Sequence, residues 1–136
     1  MPGVLIADDN HFIREQLGEF LLSKAIEVCG AAIDGVQAIE LVRELNPSLI
    51  VLDVYMPHVN GVAAAYEIRR IAPRTKIIFF TNYSVPRNTG AWRVLGCDAF
   101  VSKASGIAEL LATILRFLPG GEMNPGAETF YMPPCQ

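Results

Sequence analysis

Five short and nearly uninterrupted apolar runs recur along this chain, each followed by an amphipathic stretch. They are GVLIAD (3–8), IEVCGAA (26–32), LIVLD (49–53), KIIFFT (76–81) and AFVS (99–102). A strand that keeps one face wet alternates apolar and polar residues, whereas a run apolar on both sides has to be covered on both. Strand–helix alternation of this kind predicts an α/β fold, with a parallel sheet between two layers of helices.

The helices are read from period and caps. Phe12, Ile13, Leu17, Phe20 and Leu21 fall on one face of the first. Asp34 starts the second, with Gln37 at the capping-box spacing and Val36, Ile39 and Val42 on or near the inner face. Asn46-Pro47 ends that helix, and the third runs over 62–71 before Pro73. A fourth is expected over 86–95, opened by Pro86 and closed by Gly96, and Gly90 in its interior makes it the weakest. Ser105 is expected to cap the last, with Ile107, Leu110, Leu111, Ile114 and Leu115 inward.

A length of 136 residues suits one domain with one continuous core. Hydrophobic residues at 51% and charged residues at 18% exclude a disordered chain. Lys and Arg total 11 against 14 Asp and Glu, a net charge of −3, which argues against a general nucleic-acid binder. No helix-turn-helix pattern follows residue 118, so direct nucleic-acid binding is not expected. There is no apolar run long enough to span a membrane, and MPGVLIADDN has two early acids and no basic start, unlike a signal peptide. A cytoplasmic location is therefore expected. Cys29, Cys97 and Cys135 lack metal-ligand spacing and read as free thiols. The 119–136 stretch holds four Pro and three Gly without a period, so the domain is placed at 1–118, followed by a flexible tail or truncated linker.

In doubly wound sheets, ligands gather at the carboxyl ends of the strands. Here strand one ends on Asp8-Asp9, strand three on Asp53 and strand four on Thr81, and strand five is followed by Lys103. Three carboxylates on one edge repel one another unless a cation intervenes. Oxygen ligands without His or Cys suit Mg²⁺. A central carboxylate can attack phosphorus. Phosphoryl transfer then mainly requires positioning and neutralisation of the oxygens. Asp53 is the natural acceptor, Asp8 and Asp9 hold the metal, and Lys103 and Thr81 bind phosphoryl oxygens.

ADDN (7–10), LDVYMPHVNG (52–61), Thr81 after its apolar strand, and GCDAFVSKAS (96–105) resemble the receiver domain of bacterial two-component response regulators, in the branch found with helix-turn-helix output domains. The resemblance covers about residues 3–118. It implies a flavodoxin-like doubly wound (βα)5 three-layer sandwich, its five-stranded parallel sheet ordered 2-1-3-4-5. It implies Asp53 as phosphoacceptor and Asp9 as a direct Mg²⁺ ligand, with Asp8 acting largely through water. The backbone carbonyl of Tyr55 would be the third protein ligand, and Thr81 and Phe100 the switch pair. It further implies a sensor histidine kinase or histidine phosphotransfer protein as donor. A homodimer is possible through the face made by the fourth helix, fifth strand and last helix.

Asn82 departs from the small residue usual after the strand-four Thr, and Ala104 from the Pro often found after the lysine. Tyr55 and Tyr83, each two residues beyond a site residue, are expected to shield the phosphoryl group from water. His11 and His58 read as a helix-start and a loop residue, and Trp92 as either domain packing or partner surface. Two other classes remain open: a pseudo-receiver interaction module that does not cycle phosphate, and an Asp-nucleophile phosphatase, which would commonly carry a second Asp where Tyr55 stands.

Overall fold

The computed structural model describes residues 3–82 and 96–118. The elements are β1 (Val4–Ala7), α1 (His11–Ser23), β2 (Val28–Ala32), α2 (Gly35–Leu45), β3 (Leu49–Leu52), α3 (Gly61–Ile71), β4 (Lys76–Thr81), β5 (Ala99–Ser102), a 3-10 turn (Lys103–Ser105) and α4 (Ile107–Phe117). All strand pairs are parallel and the order is β2-β1-β3-β4-β5. The chain leaves β1 in one direction to form β2, then returns to the far side of β1 for β3. That reversal opens a crevice at the carboxyl ends of β1 and β3.

Side chains alternate across each strand, so the sheet divides its own residues between two cores. Leu5, Ala7, Ile50, Leu52, Ile77 and Phe79 pack with Ala38 and Val42 of α2 and Ala64, Ala65 and Ile68 of α3. Val4, Ile6, Leu49, Val51, Ile78 and Val101 pack with Leu17 and Leu21 of α1 and Leu110 and Ile114 of α4. The result is the expected three-layer sandwich, with β1, β3 and β4 almost wholly buried.

Five expectations are corrected. Phe12, in the first turn of α1, is 62% exposed; the buried residues of that helix are Leu17 and Leu21, further along it. Val36 (42%) and Leu115 (44%) also face outward. On α4 the inner stripe runs through Leu110, Thr113 and Ile114, with the Thr113 hydroxyl donating to Glu109 O at 2.9 Å, which leaves Leu115 on the flank. Ser105 is not the cap of α4; it closes the 3-10 turn, and Gly106 (φ 94°) precedes the helix without a side-chain cap bond. The second strand begins at Val28 rather than Ile26, although Ile26 is buried.

Other expected caps are present: Asp34 Oδ1 accepts from Gln37 N at 2.8 Å, and Asn46 ends α2 in the left-handed conformation. Far from the crevice, Arg69 of α3 donates to Asp98 Oδ2 at 2.7 Å, and the same oxygen accepts from Ile77 N at 2.8 Å. This ties α3 to the starts of β4 and β5. The expected fourth helix over 86–95, with Gly90 and Trp92, lies outside the described residues, as do Tyr83 and the 119–136 tail. Among the described residues, no helix is long and apolar enough to cross a membrane.

Candidate functional site

The crevice is built by extending two strands by one residue. Ala7 of β1 faces Leu52 of β3, so Asp8 and Asp53 occupy the next rung. Asp53 N donates to Ala7 O at 3.0 Å and Asp8 N donates to Ala32 O at 3.1 Å, so the ladder fixes both backbones. Adjacent strands lie about 4.8 Å apart. The two carboxylates are thus held close whatever their charge, and both are buried, at 3% and 6% exposure. Asp9 is exposed beside them, and ligand oxygens of Asp8, Asp9 and Asp53 all lie within 4.8 Å of one another. Among the described residues these are the acids that could hold a metal ion together.

Lys103 supplies the countercharge. Its Nζ is 2.8 Å from Asp8 Oδ2 and 3.1 Å from Asp53 Oδ2. The residue starts the 3-10 turn after β5, where Ser102 Oγ accepts from Ala104 N at 3.1 Å and sets the chain's exit from the sheet. Three carboxylates and one ammonium leave a formal charge of −2, which suits a divalent cation. Burial pushes the Asp8 carboxyl above its ordinary range; hydrogen bonds from Lys103 and from Asn10 N (2.9 Å to Oδ1) counter this only in part. Burial also pulls the Lys103 ammonium down, but bonding to Asp8 and attraction to Asp53 outweigh it, and its pKa is raised. Lys103 therefore remains a cation through neutral pH.

The remaining sequence candidates are distributed over β4, β5, the β3–α3 loop and the start of α1. Thr81 ends β4, fully buried, and is paired in register with Ser102. Tyr55 lies in the β3–α3 loop, where its N–H points to Asp53 Oδ1 at 3.4 Å and its side chain is 59% exposed. Phe100 is half-buried on β5 and stacks obliquely on Phe79, ring centroids 6.3 Å apart. His11 opens α1, and His58 sits in the loop with left-handed φ of 68°.

Two supporting residues escaped the sequence reading. Asn10 caps α1 through Ile13 N (3.1 Å) while its own N–H holds Asp8, and Arg14 Nη1 holds the Asp8 carbonyl at 2.9 Å. An Asn immediately before an amphipathic run is an N-cap signal that could have revealed the first.

Asp8 costs stability because its charge is buried beside another carboxylate. A carboxyl whose folded-state pKa is raised loses stability as pH climbs through that value. Asp8→Asn keeps the shape and an acceptor for Asn10 N–H, so it is expected to stabilise the metal-free protein by about 1 kcal/mol. The same change should weaken divalent-cation binding. Thermal melts with and without cation measure both signs; a variant less stable than wild type in the absence of metal contradicts the expectation.

The family model described as response regulator receiver domain matches residues 4–115. The transcriptional regulatory protein PdtaR of Mycobacterium tuberculosis is 38% identical over 113 residues, covering 82% of this chain and 54% of that protein. The chain thus spans about half of that relative's length. Among solved structures, the response regulator protein TrrA of Thermotoga maritima, crystallised in complex with Mg²⁺–BeF, superposes with a TM-score of 0.76 at 31% identity, over 87% of this chain and all of that one. A DNA-binding response regulator of the LuxR family from Staphylococcus aureus gives 0.77 at 29% identity, over 86% and 98% of the two chains.

Proposed function

The chain belongs to the response regulator receiver domain family of two-component signalling, and on that footing we propose that Asp53 accepts a phosphoryl group from a sensor histidine kinase or histidine phosphotransfer protein in the cytoplasm. The observation that carries this is the Lys103 ammonium bridging Asp53 and Asp8 at the head of a three-carboxylate cluster. Asp53 fits the acceptor role better than Asp8. Both Asp8 oxygens are engaged, by Asn10 N–H at 2.9 Å and by Lys103 at 2.8 Å. Asp53 Oδ1 receives the long 3.4 Å contact from Tyr55 N–H.

In the proposed step an Asp53 oxygen forms a bond to phosphorus as the bond to the donor nitrogen breaks, the electron pair leaving with the imidazole. Lys103, already beside Asp53, takes one phosphoryl oxygen, and the Thr81 hydroxyl takes another. Asp8, Asp9, Asp53 and the Tyr55 carbonyl would hold Mg²⁺, an all-oxygen donor set that suits a hard cation. Bound there, the ion supplies neutralisation of the charge on the transferring group. The chain acts on itself, forming and slowly hydrolysing its own aspartyl phosphate.

Phosphorylation then biases a two-state element in which Thr81 and Phe100 move together. Their placement supports this: Phe100 and Thr81 lie on adjacent strands, and Phe100 is only half-buried against Phe79. The proposed output is a homodimer through β5, α4 and the 86–95 segment, the last of which lies outside the described residues.

Incubation with Mg²⁺ and phosphoramidate or acetyl phosphate, followed by intact mass, tests the acceptor reading. Gain of one phosphoryl group supports it, and an unchanged mass with several donors points to the pseudo-receiver alternative. Thr81→Ala is expected to leave labelling within about ten-fold of wild type, roughly 1.4 kcal/mol in barrier. It should also abolish the phosphorylation-dependent change in amide exchange at 99–102. Retention of that change removes Thr81 from the switch.

A further inference from the structure

The loop that follows Asp53 is confined between the starts of two helices, and both starts are glycines. On one side Gly61, the first residue of α3, lies so close that a Cβ built on it would be 1.9 Å from Asp53 O, while its N–H donates to Val54 O at 2.8 Å. On the other side Gly35, the first residue of α2, comes equally close to the far end of the loop. A Cβ there would be 1.9 Å from Val59 O, 2.7 Å from Val59 C and 2.8 Å from Val59 Cβ. The nearest of these atoms on both sides are backbone, which cannot rotate away.

Neither wall has slack. The start of α2 is fixed by Asp34 Oδ1 accepting from Gln37 N at 2.8 Å and by Gln37 Oε1 accepting from Ile33 N at 2.8 Å. Val59 is half-buried against the core under α2 and α3. Next to it His58 holds a left-handed φ of 68°, with Nε2 3.8 Å from Asp34 Oδ2. A push at Val59 is therefore passed along the loop toward Tyr55 and Asp53, because Gly61 blocks retreat at the other end.

We infer that Gly35, on a helix that contributes no group to the acidic cluster, is a positioning residue for the acceptor loop: its missing side chain sets where Val59, and through it Tyr55 and Asp53, come to rest. The inference rests on the reading of Asp53 as acceptor and deepens it. It makes the β2–α2 corner a determinant of cation affinity and phosphoryl capture.

The test is calorimetric titration of the intact chain with Mg²⁺, together with the rate of phosphoryl gain from acetyl phosphate and a thermal melt. Residues that orient metal ligands from outside the coordination shell typically change affinity by about 10–100-fold. Gly35→Ala is expected to weaken Mg²⁺ binding by about ten-fold and to slow labelling in parallel. A lower melting temperature with unchanged Mg²⁺ affinity of the folded protein would mean a merely structural glycine, and overturns the inference. Should Gly35→Ala fail to fold, Val59→Gly decides, since it removes Val59 Cβ, the side-chain part of the contact, and frees the loop backbone at that point without adding an atom. Weaker Mg²⁺ binding in that variant upholds the proposal and unchanged binding overturns it. Wild-type protein that takes neither Mg²⁺ nor phosphoryl removes the acceptor reading itself, an outcome distinct from labelled wild type with indistinguishable variants.

Discussion

Asp53→Asn is expected to gain no phosphoryl group under conditions in which the wild-type chain is labelled to completion. The amide is close to the carboxylate in shape, so the backbone ladder to Ala7 O and the neighbouring Lys103–Asp8 pair stay in place. What is lost is the nucleophile, because a neutral amide oxygen does not form a stable bond to phosphorus under these conditions. The folded state should not suffer, since one of three crowded charges has gone. Circular dichroism spectra that overlay, combined with absent labelling by intact mass, are the expected pair of results. Full labelling of Asp53→Asn would move the acceptor elsewhere, with Asp8 and Asp9 the first positions to map.

Gly61→Ala is expected to be one of the two most damaging methyl groups that can be added at the described glycines near the site, with Gly35→Ala the other. The new Cβ would stand 1.9 Å from Asp53 O and 2.7 Å from Val54 Cα, so either α3 or the end of β3 has to move. Overpacking a tight site costs about 3 kcal/mol, a large share of the roughly 5–15 kcal/mol that holds a domain together. The melting temperature should fall by roughly 10 °C, and phosphoryl capture should fall further than stability alone explains. Gly18 provides the contrast within the same chain. It lies inside α1, and a Cβ there would meet nothing within 4 Å. Gly18→Ala should therefore stabilise by about 0.5–1 kcal/mol, the ordinary gain from replacing a helical glycine. Melts of the two variants side by side check both signs, and similar midpoints for the two contradict the steric argument.

The contrast also shows which features a one-dimensional reading reaches. Strands were legible because double-sided burial writes itself as consecutive apolar residues, as in Leu49–Leu52, fully covered on both faces. The site was legible because polar residues directly after such runs, Asp8, Asp53 and Thr81, have nowhere to go but the sheet edge. The order of the strands was not written in that pattern, and came instead from the resemblance to a family. Phe12 and Leu115 were misplaced because an apolar residue at helical spacing can sit on the flank or in the first turn, while the buried stripe runs through its neighbours, Leu17 and Leu21 in α1 and Leu110, Thr113 and Ile114 in α4. Ser105 was misread because a Ser shortly before an amphipathic run looks like a cap, whereas here it is the last residue of a 3-10 turn. Gly35 and Gly61 gave no local sign of their role, since each is defined by a carbonyl 24 or 8 residues away. The same holds for Arg69 and Asp98, joined across 29 residues.

The rung shared by Asp8 and Asp53 has a thermal consequence. Many binding sites sit on loops that open on their own, well below the energy of global unfolding. Here two of the three acids are appended to strands whose backbones are bonded to each other and buried on both sides. Separating those two carboxylates means breaking the centre of the sheet, which is the last part of a domain to open. The acidic pair therefore has no melting transition of its own: its spacing persists on heating until the sheet itself opens, and the proposed switch, Thr81 with Phe100, moves around a pair that stays put.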